Sequence, residues 1–257
     1  EVFPYSVFAR TVRRVLADYG EALLCRSPNS GCLELRESIS SYLARSRGIF
    51  VSSQNIVIGS GAEYLYGLVV QMLGRNRIYG VEDPSYEKIA NIYRSNGVVC
   101  DFLPLGTDGI RSDALASTKA TVLHVTPYNS YPSGITASAS KRNEYVRWAM
   151  QRKGYVIEDD FDSEYTVSTK SEETVFSLDS QRVIYMNTFS KTVAPSVRVG
   201  YMVLPSSLMD RFCESVGNLS CTVPVLEQYL LAELINSGDF ERHINRVRRK
   251  RRKELGK

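Results

Sequence analysis

Short, unbroken apolar runs alternate with amphipathic stretches along almost the whole chain. Apolar residues recur at helical spacing over 5–24, with Phe8, Val12, Val15 and Leu16 on one face, and again over 33–48, where Gly48 supplies the stop. Further helices are predicted at 62–73, 86–96, 113–116, 138–153, 206–217 and 224–252. Between them lie strand-like runs at 56–58, 78–81, 98–103, 121–126, 155–159, 183–187 and 199–204. Strands that are apolar throughout, instead of alternating, belong in sheets buried on both faces. Their alternation with helices predicts an α/β fold: a mostly parallel sheet covered by helices on both faces. No internal repeat or linker-like stretch interrupts it.

Composition narrows the picture. The chain has 257 residues, 43% hydrophobic and 23% charged, as expected of one large globular domain with a fragment of a second. No apolar run approaches the roughly 20 residues of a membrane helix, so no membrane partner is expected. Five cysteines without CxxC spacing suggest neither a zinc site nor a disulfide framework, and a reducing cytoplasm is expected. Two histidines, His124 and His243, are too few for a histidine-based metal site or triad.

The net charge of +4 hides an asymmetry: nine Lys/Arg against one Glu over 242–257 leave the remainder at about −4. The basic run carries no interleaved aromatic residues, so a solvated helix face is preferred over a nucleic-acid grip. The chain opens on Glu1 and ends in this run, which is expected of a piece of something longer.

Candidate chemistry lies at the ends of the predicted strands. In an open α/β sheet, ligands bind beyond the strands' carboxyl ends, where loops 59–62, 82–86, 126–134, 159–162 and 188–191 all fall. Lys191 follows Thr188 and Ser190 at a strand end, with Arg198 seven positions on. A lysine forms an imine with an aldehyde, while hydroxyls and an arginine hold a phosphate; pyridoxal 5'-phosphate carries both groups. Asp159 and Asp160 end another strand, and alternation sends their carboxylates to opposite faces, so one is expected to meet a pyridine nitrogen. Asp159 is the choice.

Gly59-Ser60-Gly61-Ala62 joins a strand to a helix, a place where backbone N–H groups favour an anion. Tyr86 follows a Pro-containing turn and is placed either on a flat ring or in the core. Asn129, Ser130 and Tyr131 share a loop from which one polar group would reach the ring's 3-oxygen; the residues alone do not choose among them.

Together these residues resemble the PLP-dependent transferase fold type I large domain. More narrowly they resemble the aminotransferase-like domain of MocR-type, GntR-family transcription regulators. The resemblance rests on Leu35-Arg36-Glu37, Glu82-Asp83-Pro84-Ser85-Tyr86, Thr126-Pro127 through Pro132-Ser133-Gly134, Thr188-Phe189-Ser190-Lys191, and above all the acidic run from Ile157 to Tyr165. It implies Lys191 as the internal aldimine and Asp159 at the pyridine nitrogen. It places Gly61, Ala62, Thr188, Ser190 and Arg198 round the phosphate and Tyr86 over the ring. It further implies a homodimer, an amino acid or amine as effector, and DNA contact only through a winged-helix module preceding this chain. The implied organisation is a helical lead-in over 1–27, a PLP-binding large domain over 28–215, and a long helix over 216–257 leading to a small domain outside the chain.

Departures from the pattern matter. Phe161 stands where the subgroup has a tyrosine that donates to the ring oxygen, and Gly61-Ala62-Glu63 replaces a Ser-Gln-Gln helix start. These changes predict a site that holds the cofactor with weak or no turnover. A genuine aminotransferase and a cofactor-free dimerisation domain are the alternatives.

Overall fold

The computed structural model describes residues 2–166, 173–254 and 256; Glu1 and the last residues of the basic run, Leu255 and Lys257, lie outside it. Seven strands form one sheet: β1 (Ile56–Gly59), β2 (Ile78–Asp83), β3 (Val99–Pro104), β4 (Val122–Val125), β5 (Tyr155–Asp159), β6 (Val183–Thr188) and β7 (Gly200–Val203). Their spatial order is β1-β7-β6-β5-β4-β2-β3. Pairs from β3 through β6 are parallel, and β7 runs antiparallel to both of its neighbours. The expected mostly parallel α/β sheet is therefore present.

Side-chain alternation sorts each strand between two cores. Val57, Tyr79, Val122, Ile157, Ile184 and Met202 face one side. There they pack on α3 (Ala62–Leu73), α4 (Glu87–Ser95) and α8 (Ser206–Ser215). Ile58, Leu123, Val156, Tyr185 and Val203 face the other. That side is covered by α2 (Leu33–Arg47), α6 (Ala139–Gln151), α9 (Val225–Asn236) and α10 (Asp239–Glu254). Helices on both faces account for strands that are apolar throughout. α1 (Tyr5–Tyr19) packs through Val15 beside Tyr229 of α9.

Three local readings differ from the structure. The N-terminal helix stops at Tyr19 and tightens into a 3-10 turn over Gly20–Leu24. The run read as one long C-terminal helix is two, α9 and α10, parted at Ser237 and Gly238, where Gly238 takes φ +75°. Helical periodicity continues across that break, so pattern alone does not register it. A short helix, α7 (Val175–Leu178), was not predicted; four residues are too few to show a period. Among the described residues no helix is long and apolar enough to cross a membrane.

Candidate active-site cleft

All five predicted loops meet at one cleft of about 600 Å³ beyond the carboxyl ends of the parallel strands. Ala62, Tyr86, Asn129, Asp159, Phe161, Thr188, Ser190, Lys191 and Arg198 line it. Gly61 sits at its edge: a Cβ there would lie 3.0 Å from Arg198 Nη2, and its φ is +91°. The turn into α3 thus needs a residue without a side chain, both for its backbone and for the guanidinium beside it. Arg198 makes no ion pair among the described residues, which leaves a free cation at the N-terminus of α3. Ser190 Oγ donates to Val197 O at 3.0 Å.

Asp159 closes the floor of the cleft and is 4% exposed. Its Oδ2 accepts the Tyr66 hydroxyl and lies 3.5 Å from His124 Nε2. Burial and the Asp159 charge hold the Tyr66 phenol well above its ordinary pKa, so it stays a donor. Behind it, Tyr93 OH meets His124 Nδ1 at 2.7 Å; with Tyr93 donating, the imidazole proton sits on Nε2 and faces Asp159. Tyr66 and His124 escaped the sequence reading. Their signals were faint: Tyr66 lies one helical turn after Ala62, and His124 two residues before the Thr126 loop on the Ile157 side of the sheet.

Asp160 goes to the other face. It is fully buried, pairs with Arg47 Nε at 3.0 Å and accepts from Tyr185 OH at 2.6 Å. Strand alternation separates the two carboxylates as expected.

Lys191 is ion-paired with Asp162, and its ammonium lies 4.6 Å from the centroid of the Phe161 ring. Tyr165 OH donates to the Lys191 carbonyl at 3.3 Å. Asp162 also accepts from Asn129 Nδ2 at 2.6 Å. Asn129 adopts φ +55°, a left-handed conformation that asparagine tolerates better than most residues, and its backbone N–H bonds Thr136 Oγ1 at 3.1 Å. All three loop candidates line the cleft; Ser130 has its hydroxyl committed to Glu82 at 2.7 Å and Asn129 its amide to Asp162. Tyr86 is 46% exposed, not a core residue, and meets the Tyr131 ring edge-on at 6.2 Å. Glu63 turns its carboxylate to Lys88 at 3.3 Å.

The cleft thus brings together a guanidinium with no ion pair among the described residues, the N-terminus of α3, an amine paired with Asp162 and a carboxylate oriented by Tyr66. It suits a flat ligand with an anion at one end, a carbonyl carbon near Lys191 and a positive nitrogen near Asp159.

Comparison with known proteins gives the family. The family description "Aminotransferase class I and II" matches residues 12–255. YdeL of Bacillus subtilis, an HTH-type transcriptional regulator, is 32% identical over 253 residues, 98% of this chain and 55% of that protein. The probable rhizopine catabolism regulatory protein MocR of Rhizobium meliloti is 31% identical over 251 residues, covering 97% of this chain and 51% of its own. The chain therefore spans about half the length of these curated relatives. Among solved structures is LysN, an alpha-aminoadipate aminotransferase of Thermus thermophilus complexed with N-(5'-phosphopyridoxyl)-L-leucine. It superposes with a TM-score of 0.84 at 28% identity, over 96% of this chain and 64% of that one.

Proposed function

The chain belongs to the aminotransferase class I and II family, and on that premise we propose that it is the pyridoxal 5'-phosphate-binding, aminotransferase-like effector domain of a transcription regulator, with weak or no turnover. The observation that carries this reading is the sharing of one cleft by Lys191, Asp159 and Arg198. The donor set fits the cofactor. Arg198 is unpaired among the described residues and lies beside Gly61, where a Cβ would intrude, and Asp159 is buried with Tyr66 already bonded to one of its oxygens.

When bound, the cofactor supplies an aldehyde and an electron-withdrawing ring. The remaining work falls to this chain. Arg198, the N–H groups at the start of α3 and Thr188 would hold a phosphate, joined by Ser190 once its hydroxyl turns from Val197 O, and Lys191 Nζ would supply the amine for the aldehyde. Asp159, oriented by Tyr66, would hold a proton at the ring nitrogen, and the exposed Tyr86 would lie against the ring. Phe161 has no hydroxyl to donate to the ring's oxygen. Its absence supports a holding function over fast proton transfer.

Titration with pyridoxal 5'-phosphate tests the reading. A visible absorption band is expected, with a borohydride-stable adduct on the Lys191 peptide, both lost in Lys191→Ala. Rapid exchange between an amino acid and a keto acid would overturn the assignment of weak turnover, and no band at all would overturn the cofactor.

The regulatory role takes its support from YdeL and MocR, whose names describe regulators. In this reading an amino acid or amine is the effector, and DNA is read by a module preceding this chain in the full-length protein. A homodimer and a cytoplasmic location complete the proposal; five free cysteines suit a reducing compartment. Sedimentation equilibrium is expected to give twice the mass of the chain.

A further inference from the structure

Asp162 is a charged group in the cleft that the preceding assignment leaves without work. Of the other charges there, Asp159 is engaged by Tyr66 and His124, Glu63 pairs with Lys88, and Arg198 lies against Gly61. The phenols of Tyr66, Tyr86 and Tyr131 also line the cleft, and the Tyr165 hydroxyl lies at the Lys191 carbonyl. Asp162 alone is ion-paired with Lys191 among the described residues. Its position is set from behind: Asn129 donates to its second oxygen at 2.6 Å, and the residue is 8% exposed. A carboxylate held at both oxygens, next to a half-buried amine lying on the Phe161 ring, is a fixed counter-charge, unlike a mobile surface partner.

We infer that Asp162 is a positioning residue for Lys191. It holds the Lys191 side chain over Phe161, and it stays as the counter-charge to the same nitrogen once a carbonyl ligand is attached. The inference deepens the proposed function and rests on Lys191 being the cofactor-bearing residue. Capture of an aldehyde proceeds in balanced steps. The ammonium gives a proton to water, its lone pair adds to the aldehyde carbon, and the C=N bond forms as one water leaves. Asp162 opposes the first step and stabilises a protonated nitrogen after the last. It therefore slows loading and strengthens the loaded state.

The test uses the whole chain, pyridoxal 5'-phosphate as the probe and the pH at which the visible band changes. An opposite charge within about 4–6 Å moves such a midpoint by roughly 1–3 pH units. In Asp162→Asn the midpoint is expected to fall by about that much and loading near neutral pH to quicken, whereas Asp162→Glu restores the wild-type midpoint. An unchanged midpoint in Asp162→Asn overturns the inference. A second arm needs no cofactor: labelling of Lys191 by trinitrobenzenesulfonate, read by peptide mass. Asp162→Asn is expected to speed it, because the ion pair that ties up the amine is gone, and equal rates overturn the inference. If the band fails to form even in the wild type while the labelling difference persists, the cofactor reading falls and the ion-pair role of Asp162 stands.

Discussion

Asp159 and Asp160 are neighbours in the chain, yet their carboxylates lie on opposite faces of the sheet, the first bonded by Tyr66 and the second paired with Arg47 at 3.0 Å. The second face carries its own buried polar cluster. Arg47 also stacks over the Tyr128 ring at 4.7 Å, and Glu158 and Glu164 lie close enough to feel its charge. It is the cation that offsets three buried acids.

Removing that cation is expected to be severe. Arg47→Met leaves Asp160 buried without its partner, and breaking one side of a buried pair costs about 3–5 kcal/mol. Urea unfolding of the variant checks this. A loss below 1 kcal/mol would mean that Tyr185 alone satisfies Asp160.

Acidity should stabilise the same cluster. Burial, followed by the Asp160 charge, pushes the Glu158 carboxyl from an ordinary 4.5 up to about 7, and the same causes push Glu164 up to about 8. Between those limits the folded chain binds more protons than the unfolded chain, so stability falls as pH rises. The contribution is complete below about 4.5 and is lost as pH climbs through about 8. Thermal unfolding from pH 5 to 9 should show the decline, and Glu164→Gln should flatten its upper part.

Gly61→Ala is expected to weaken anion binding. The residue's φ of +91° is strained for any side chain, and the new methyl would press on Arg198 at 3.0 Å. Affinity for pyridoxal 5'-phosphate should drop because the methyl displaces the guanidinium, while the backbone strain, about 1–3 kcal/mol, lowers stability in the free and loaded protein alike. Gly74, with φ +94° and nothing within 4 Å of a Cβ, is the control: Gly74→Ala should lower stability and spare the affinity.

Glu63→Gln should act in the opposite direction. Glu63 lies in the first turn of α3, where its charge opposes a phosphate, and the pair with Lys88 is half exposed. Exposed charge interactions contribute about 0.2–1 kcal/mol, so the gain should not exceed about fivefold. Pyridoxal without the phosphate should bind equally to both forms.

Much of the site was legible because its chemistry sits at strand ends. Lys191, Asp159 and Gly61 each follow an apolar run that marks itself as a buried strand, and a parallel sheet brings such ends to one edge. Tyr86 was less legible, since an aromatic after a turn serves a core as readily as a cleft. Asp162, Tyr66 and His124 were not legible as site residues. Their roles come from partners 29, 93 and 31 positions away, through bonds to Lys191, Asp159 and Tyr93.

What the linear order determined by itself was the sheet, its two covered faces and the division of Asp159 from Asp160, because side-chain alternation is a property of each strand alone. Tertiary structure decided which hydroxyl, imidazole or amide completes each charged group, and where the last helical run breaks at Gly238. Those outcomes depend on side chains meeting across the fold, because in a dry interior a buried charge is stabilised by the donors that the packing brings within about 3 Å.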